Sequence, residues 1–290
     1  YKWYERYQEK GIDGLKSRSK GPRQFWNKIP EKEQKKVVEL ALKHTDKSPR
    51  ELAWYITDNY ERFISESSVY RILKKYDLIT SPNYILLKAG AEFKDKTKRV
   101  NEMWQTDFTY FKVQGWGWYY LASVLDDYSR YVISWKLFTS MKSTDVMEVL
   151  DMAREKTGIS NVNVHHKPRL LSDNGPCYIS KELKSYLKEC DIEHTRGAPF
   201  HPQTQGKIER MHRSLKNIVK LENYYFPSEL ESKLDDFFNY YNNERYHESI
   251  NNMRPIDVWN GNAIEVMTKR EVIKLNTLKK RKKLNLKPVA

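Results

Sequence analysis

The chain has 290 residues and a mass of 34.7 kDa, enough for two or three domains. Its 39% hydrophobic and 13% aromatic content supports a buried core and excludes a disordered chain. The mean hydropathy of −0.82 and the absence of an apolar run of about 18 residues exclude a membrane span. The first residues are polar and charged, unlike a signal peptide. Cys177 and Cys190 are the only cysteines, which excludes a disulfide framework and a cysteine-rich zinc site. A reducing, cytoplasmic setting follows. The chain opens on Tyr1 rather than Met, as a fragment or processed product would.

Charge is unevenly spread. Residues 1–99 carry 23 basic and 14 acidic groups, residues 100–263 carry 20 and 22, and residues 264–290 carry 9 and 2. A near-neutral centre between two basic flanks suits a catalytic body held on a polyanion. Ordinary solubility charge is the blander alternative.

In chain order, residues 1–25 read as the end of an upstream helix unit running into a linker around Gly11, Gly14 and Pro22. Residues 26–80 contain three helical patterns. Glu31 to His44 places Val37, Leu40 and Ala41 at helical spacing. Ser48-Pro49-Arg50-Glu51 is a capping box with proline at the first helical position. Ser65 opens a third helix with Val69, Ile72, Leu73 and Tyr76 inward. This all-α unit resembles a helix-turn-helix domain, in which Ser67, Ser68, Tyr70, Arg71, Lys74 and Lys75 face the major groove or its phosphates. A plain three-helix bundle with a solvated face is the alternative. Residues 81–99 read as a basic linker.

Residues 100–225 change character. Trp104 to Tyr110 alternates as a strand does, Gln114 to Gly117 turns, and Tyr119 to Leu125 and Tyr131 to Phe138 complete a meander through the turn at Asp126-Asp127. A helix over Thr144 to Thr157 follows, then a buried strand Arg169 to Ser172. After it come a helix over Ser180 to Cys190, a strand Ile192 to Thr195 and a long helix Thr204 to Leu221. The order is that of a mixed α/β layer fold. Residues 226–262 read as a helical extension, and residues 263–290 as a basic tail ending in the run Lys279-Lys280-Arg281-Lys282-Lys283, with nucleic-acid contact weighed evenly against simple solvation.

Three carboxylates stand at element positions able to converge: Asp107 in the first strand, Asp173 where a buried strand ends, Glu209 on the long helix. Each alone would be a cap, a turn residue or half of a salt bridge. Together they suit a hard cation such as Mg²⁺, without which their charges repel. On the long helix, Gln205, Glu209, His212, Arg213 and Lys216 form a polar stripe, with Ile208, Met211, Leu215 and Ile218 on another roughly 120° away. Asn174 either lies by the metal or serves the turn. Asp126 and Asp127 read as turn residues, His165-His166 as a surface loop, Trp116 and Trp118 as hairpin packing, and nothing marks Cys177 as a reactive thiol.

Trp104-Gln105-Thr106-Asp107, Ser172-Asp173-Asn174-Gly175 and His201-Pro202-Gln203-Thr204-Gln205-Gly206-Lys207-Ile208-Glu209-Arg210 resemble the three motifs of the DDE catalytic core of bacterial insertion-sequence transposases and retroviral integrases. Tyr241 to Ser249 followed by Arg254-Pro255 is similar to the segment after the core in insertion-sequence members. Residues 1–99 hold one histidine, His44, and no cysteine, so the retroviral His/Cys zinc domain has no counterpart and the bacterial branch is favoured. Gln205 stands where many relatives have Asn, another neutral amide.

The resemblance implies a ribonuclease-H-like fold: a mixed five-stranded sheet with flanking helices, behind the all-α helix-turn-helix domain. It implies two Mg²⁺ ions per site, replaceable by Mn²⁺, with Asp107 bridging both, Asp173 holding one and Glu209 the other. The activity it implies is cleavage that frees a 3′-hydroxyl, then transfer of that end to a target phosphodiester. The implied partners are double-stranded DNA, as terminal repeats and target, and further copies of the chain in a homo-oligomer. Asn174, Gln205, Lys207, Arg213, Lys216, Lys279, Lys280 and Arg281 are the expected DNA contacts beyond the helix-turn-helix, and the His201 to Gly206 loop is expected to engage the DNA end. The rivals are a metal-dependent nuclease that cuts without joining, and a DNA-binding regulator descended from a transposase.

Overall fold

The structure, a computed structural model, describes residues 2–16, 25–79, 97–159, 167–196, 205–219 and 224–286. The chain divides into two units, residues 1–79 with 270–290 and residues 80–269.

In the helical unit, α1 (Lys2–Lys10) precedes a 3₁₀ turn, and α2 (Glu31–Lys43), α3 (Pro49–Tyr60) and α4 (Glu66–Lys75) pack together. Their shared core is apolar: Val37, Leu40, Leu52, Ala53, Ile56, Val69, Ile72 and Leu73. The capping box at α3 is formed, with Glu51 N–H donating to Ser48 Oγ at 3.3 Å and Ser48 N–H donating to Glu51 Oε2 at 3.0 Å. Residues 80–96, most of the expected basic linker, lie outside the described residues.

The basic segment, whose order the sequence left open, contains a helix, α11 (Ala263–Asn285), whose part from Arg270 onward belongs to the helical unit. Arg270 meets Asp58 through two bonds of 2.8 and 2.7 Å and lies 4.4 Å over the Trp54 ring. Arg281 is 4% exposed and donates to Glu33 Oε2 at 3.0 Å and to the Phe63 carbonyl at 2.8 Å. Thr277 Oγ1 accepts from the Phe63 N–H at 3.1 Å. The reason is visible: the buried positions Arg270, Ile273, Thr277 and Arg281 follow helical spacing but are mostly polar, so they bury through bonds rather than through an apolar stripe.

The second unit holds one five-stranded sheet in the order β3-β2-β1-β4-β5. The strands are β1 (Met103–Val113), β2 (Gly117–Asp126), β3 (Val132–Phe138), β4 (Arg169–Ser172) and β5 (His194–Arg196). The first three form an antiparallel meander, while β4 and β5 run parallel to β1. Alternation assigns each strand's two faces. Trp104, Ala122 and Val124 face the core built with α5 (Ser143–Thr157) and α7 (Lys181–Glu189). Phe111, Val113, Leu121 and Leu125 face the core built with α8 (Gly206–Val219) and α9 (Pro227–Asn243). This is the ribonuclease-H-like arrangement expected.

Details differ from the sequence reading. A short helix, α6 (Pro176–Ile179), follows the aspartate motif before α7. The long helix spans Gly206–Val219, with residues 197–204 and 220–223 outside the described residues. The extension after the core is two helices, α9 and α10 (Pro255–Trp259), separated by a His247–Met253 bridge and a 3₁₀ turn. Among the described residues no helix is long and apolar enough to cross a membrane.

Candidate active site

β4 pairs with β1 only from Met103 to Gln105, and Asp107 lies just past that pairing. Asp173 follows the last residue of β4, so parallel pairing carries both carboxylates to the same end of adjacent central strands. The Asp173 carboxyl is pushed up from the usual carboxylate range, chiefly by burial and further by the charge of Asp107, against the stabilising bond from the Gly175 N–H. That bond measures 2.9 Å to Asp173 Oδ1. A Cβ on Gly175 would stand 3.0 Å from the same oxygen, so the glycine of this motif leaves the carboxylate its place.

Glu209 is exposed in the first turn of α8. Ile208, Met211 and Leu215 bury the other side of the helix against β1 and β2, which turns Glu209 outward. Three residues on, His212 is 5% exposed, although the sequence placed it in a polar stripe. Its Nδ1 lies 3.3 Å from Asp107 Oδ2 and its Nε2 3.0 Å from the Ser123 hydroxyl. Residues three apart on a helix are neighbours, about 5–6 Å between Cβ atoms, so His212 brings the turn bearing Glu209 beside Asp107. Sequence reasoning missed His212 because its partners lie on distant strands; its helical offset from Glu209 was the available signal.

Among the described residues no group of three or more His, Cys, Asp or Glu side chains is arranged to hold a metal ion. The donor chemistry nonetheless fits a hard divalent cation: two carboxylates repel each other at one strand end, and a third rises from the adjacent helix turn. Cys177 and Tyr178 line the aspartate side. Burial pushes the Cys177 thiol up to about 11, with the charges of Asp173 and Asp107 adding to it, so it is no nucleophile at neutral pH.

The expected DNA contacts divide. On α4, Ser67, Arg71, Lys74 and Lys75 are exposed, while Ser68 and Tyr70 are half-buried. Arg71 Nε donates to the Ser67 carbonyl at 3.0 Å. Asn174 and Arg213 are exposed, and Lys216 lies 5.0 Å from the Tyr110 ring centroid. Lys279 and Lys280 are exposed on α11, whereas Arg281 is consumed by Glu33 and the Phe63 carbonyl. Gln205 is buried and donates to the Thr106 carbonyl at 3.4 Å, and Lys207 Nζ lies 2.6 Å from Asp127 Oδ2. Both polar ends find partners within the core unit, Gln205 on β1 and Lys207 in the turn after β2. Asp127, read as a plain turn residue, is therefore a buried partner. Trp116 and Trp118 contact Phe226 and Tyr110 yet remain half exposed. His201 to Thr204 and His165-His166 lie outside the described residues.

Residues 97–202 match an integrase core domain, residues 190–255 match a second integrase core domain model, and residues 1–73 match a homeodomain-like domain. The chain thus carries segments similar to integrase core domains behind a segment similar to a homeodomain-like domain. Two bacterial proteins to which it is similar are named as transposases for insertion sequence elements. The chain is 30% identical over 166 residues to the putative transposase InsK for insertion sequence element IS150 of Escherichia coli (strain K12), covering 57% of this chain and 56% of that protein. It is 27% identical over 165 residues to the transposase for insertion sequence element IS629 of Shigella sonnei, covering 55% and 52%. The chain thus spans about half the length of these curated relatives. Among solved structures, the HTLV-2 integrase catalytic core domain in complex with magnesium is similar at 21% identity and a TM-score of 0.44, covering 56% of this chain and 97% of that one.

Proposed function

We propose that the chain is the catalytic and DNA-binding part of an insertion-sequence transposase, cutting DNA to a 3′-hydroxyl end and joining that end to target DNA. The observation that carries this reading is the juxtaposition of Asp107 and Asp173 at one end of the central strands, with Glu209 one helix turn from the His212 that touches Asp107. The integrase-core match and the named transposase relatives support it.

Asp107, Asp173 and Glu209 would hold the divalent cations, which supply Lewis-acid activation of the attacking oxygen and charge neutralisation at phosphorus. The remaining work falls to the chain itself. His212 orients Asp107 while its other nitrogen is held by Ser123. Gly175 fixes Asp173 through its backbone N–H. Arg213 and Lys216, one and two turns beyond Glu209, offer cations to phosphates, and α4 offers its exposed face to a duplex groove. No Ser or Tyr nucleophile is required, and the raised Cys177 thiol supplies none.

The test is nicking and end-joining of plasmid and element-end substrates with Mg²⁺ or Mn²⁺. Glu209→Gln is expected to abolish both reactions while leaving DNA affinity nearly unchanged. Joined products separate a transposase from a nuclease that only cuts. Loss of DNA affinity equal to the loss of activity would sink the assignment.

A further inference from the structure

We propose that Gln105, Asp127 and Lys207 form a positioning clamp that sets Glu209 against Asp107. The inference rests on the active-site reading above and goes beyond it, because these residues act through the geometry of others.

The first N–H groups of any helix lack partners within the helix. At α8 one of them is taken from outside: the Ile208 N–H donates to Gln105 Oε1 at 3.1 Å. Gln105 lies on β1, two residues before Asp107. Its Nε2 donates to Asp127 Oδ1 at 2.7 Å. The amide is thereby fixed in one orientation, since the reverse would set its NH₂ against an N–H and its oxygen against a carboxylate. The second oxygen of Asp127 accepts from Thr97 Oγ1 at 2.6 Å and from Lys207 Nζ at 2.6 Å. Lys207 also donates to the Asp127 carbonyl at 3.3 Å, and the Asp127 N–H donates to the Met103 carbonyl at 2.9 Å.

The circuit is closed and is buried at Gln105 and Asp127, while Lys207 stays partly exposed. Asp127 and Gln105 are each 1% exposed. It joins β1 two residues from Asp107, the β2–β3 turn, and α8 two residues from Glu209. Apolar packing of Ile208, Met211 and Leu215 decides which face of α8 meets the sheet, but such contact tolerates small slides along the axis. A satisfied buried polar network does not, because any shift leaves a buried donor or acceptor without a partner. Lys207 therefore spends its charge inside the protein rather than on a phosphate. Displacing a reacting group by about 1 Å costs on the order of a hundredfold in rate, which sets the scale of the effect.

The experiment compares wild type, Glu209→Gln, Gln105→Met, and the charge-neutral pair Asp127→Asn/Lys207→Met, all in the full chain. It reads plasmid nicking, Mn²⁺ binding by electron paramagnetic resonance, DNA affinity across salt, and thermal unfolding. The clamp variants are expected to fold and to bind DNA within about twofold of wild type with an unchanged salt slope. Their kcat is expected to fall roughly a hundredfold, and half-saturation to need more Mn²⁺. If one clamp variant fails to fold, the other decides. Wild-type kcat and Mn²⁺ binding in a folded clamp variant, beside an inactive Glu209→Gln, overturns the clamp alone. Unchanged kcat with weaker DNA binding and a shallower salt slope in the Lys207 variant also overturns it, returning Lys207 to the phosphate backbone. Equal activity in wild type and Glu209→Gln overturns the active-site reading, and the clamp with it.

Discussion

Helices α3 and α8 begin in opposite ways. α3 is closed by its own sequence: Ser48 and Glu51, three residues apart, exchange bonds across the first turn. α8 is closed by a strand, through an amide 103 residues earlier. A local cap fixes where a helix starts along the chain. A remote cap fixes where it stands in space. The helical unit needs only the first at α3, because its core is apolar and its exposed face repeats along α4. In the proposed active site the core unit needs the second, since Glu209 would there have to meet carboxylates carried by other elements.

The comparison can be broken from several sides. The largest effect is expected at Arg281, a remote anchor within the helical unit. Arg281→Ala removes one of the two arginine partners of Glu33 and the donor to the Phe63 carbonyl, and is expected to cost about 1–3 kcal/mol. Hydrogen exchange should show the loss in α2 to α4 while β1 to β4 keep their protection; uniform loss would mean that the anchor serves more than its own unit. Ser48→Ala comes next, at about 1 kcal/mol, read by denaturant unfolding, because only a local cap is lost. A cost as large as that of Arg281 would erase the distinction between local and remote caps.

The smallest effect concerns the carboxylate side of the core unit. With the Cys177 thiol at about 11, roughly one molecule in a thousand is thiolate at pH 8, so iodoacetamide labelling should be slow and rise about tenfold per pH unit up to about pH 10. Asp173→Asn removes a charge that opposes the thiolate and is expected to speed labelling. An unchanged rate would separate Cys177 electrically from the site.

What was legible in the sequence was what short spacing encodes. The Ser48–Glu51 box, the alternation of β1 and the apolar face of α8 are written within a few residues, so elements and sheet could be read directly. The motifs around Asp107, Asp173 and Glu209 were legible through their resemblance to those of transposases and integrases, not through spacing alone. His212, Lys207 and Arg281 were not, because each is polar and paired with a partner far away in sequence. Counting angles on α8 assigns His212 to solvent; only the fold shows Ser123 and Asp107 waiting for it. A basic run such as Lys279 to Lys283 looks solvated until one of its members is seen spent on Glu33.

The placement of α11 also carries a consequence for biosynthesis. Arg270 lies 212 residues after Asp58, its partner in the helical unit. At roughly 5–20 residues per second, the ribosome releases α2 to α4 some ten to forty seconds before the helix that completes them. During synthesis the nascent chain therefore carries a helical unit whose Asp58 still awaits Arg270, while Glu33 already has Arg62 as a partner. A segment translated 212 residues after Asp58 sets the moment at which the helical unit is finished.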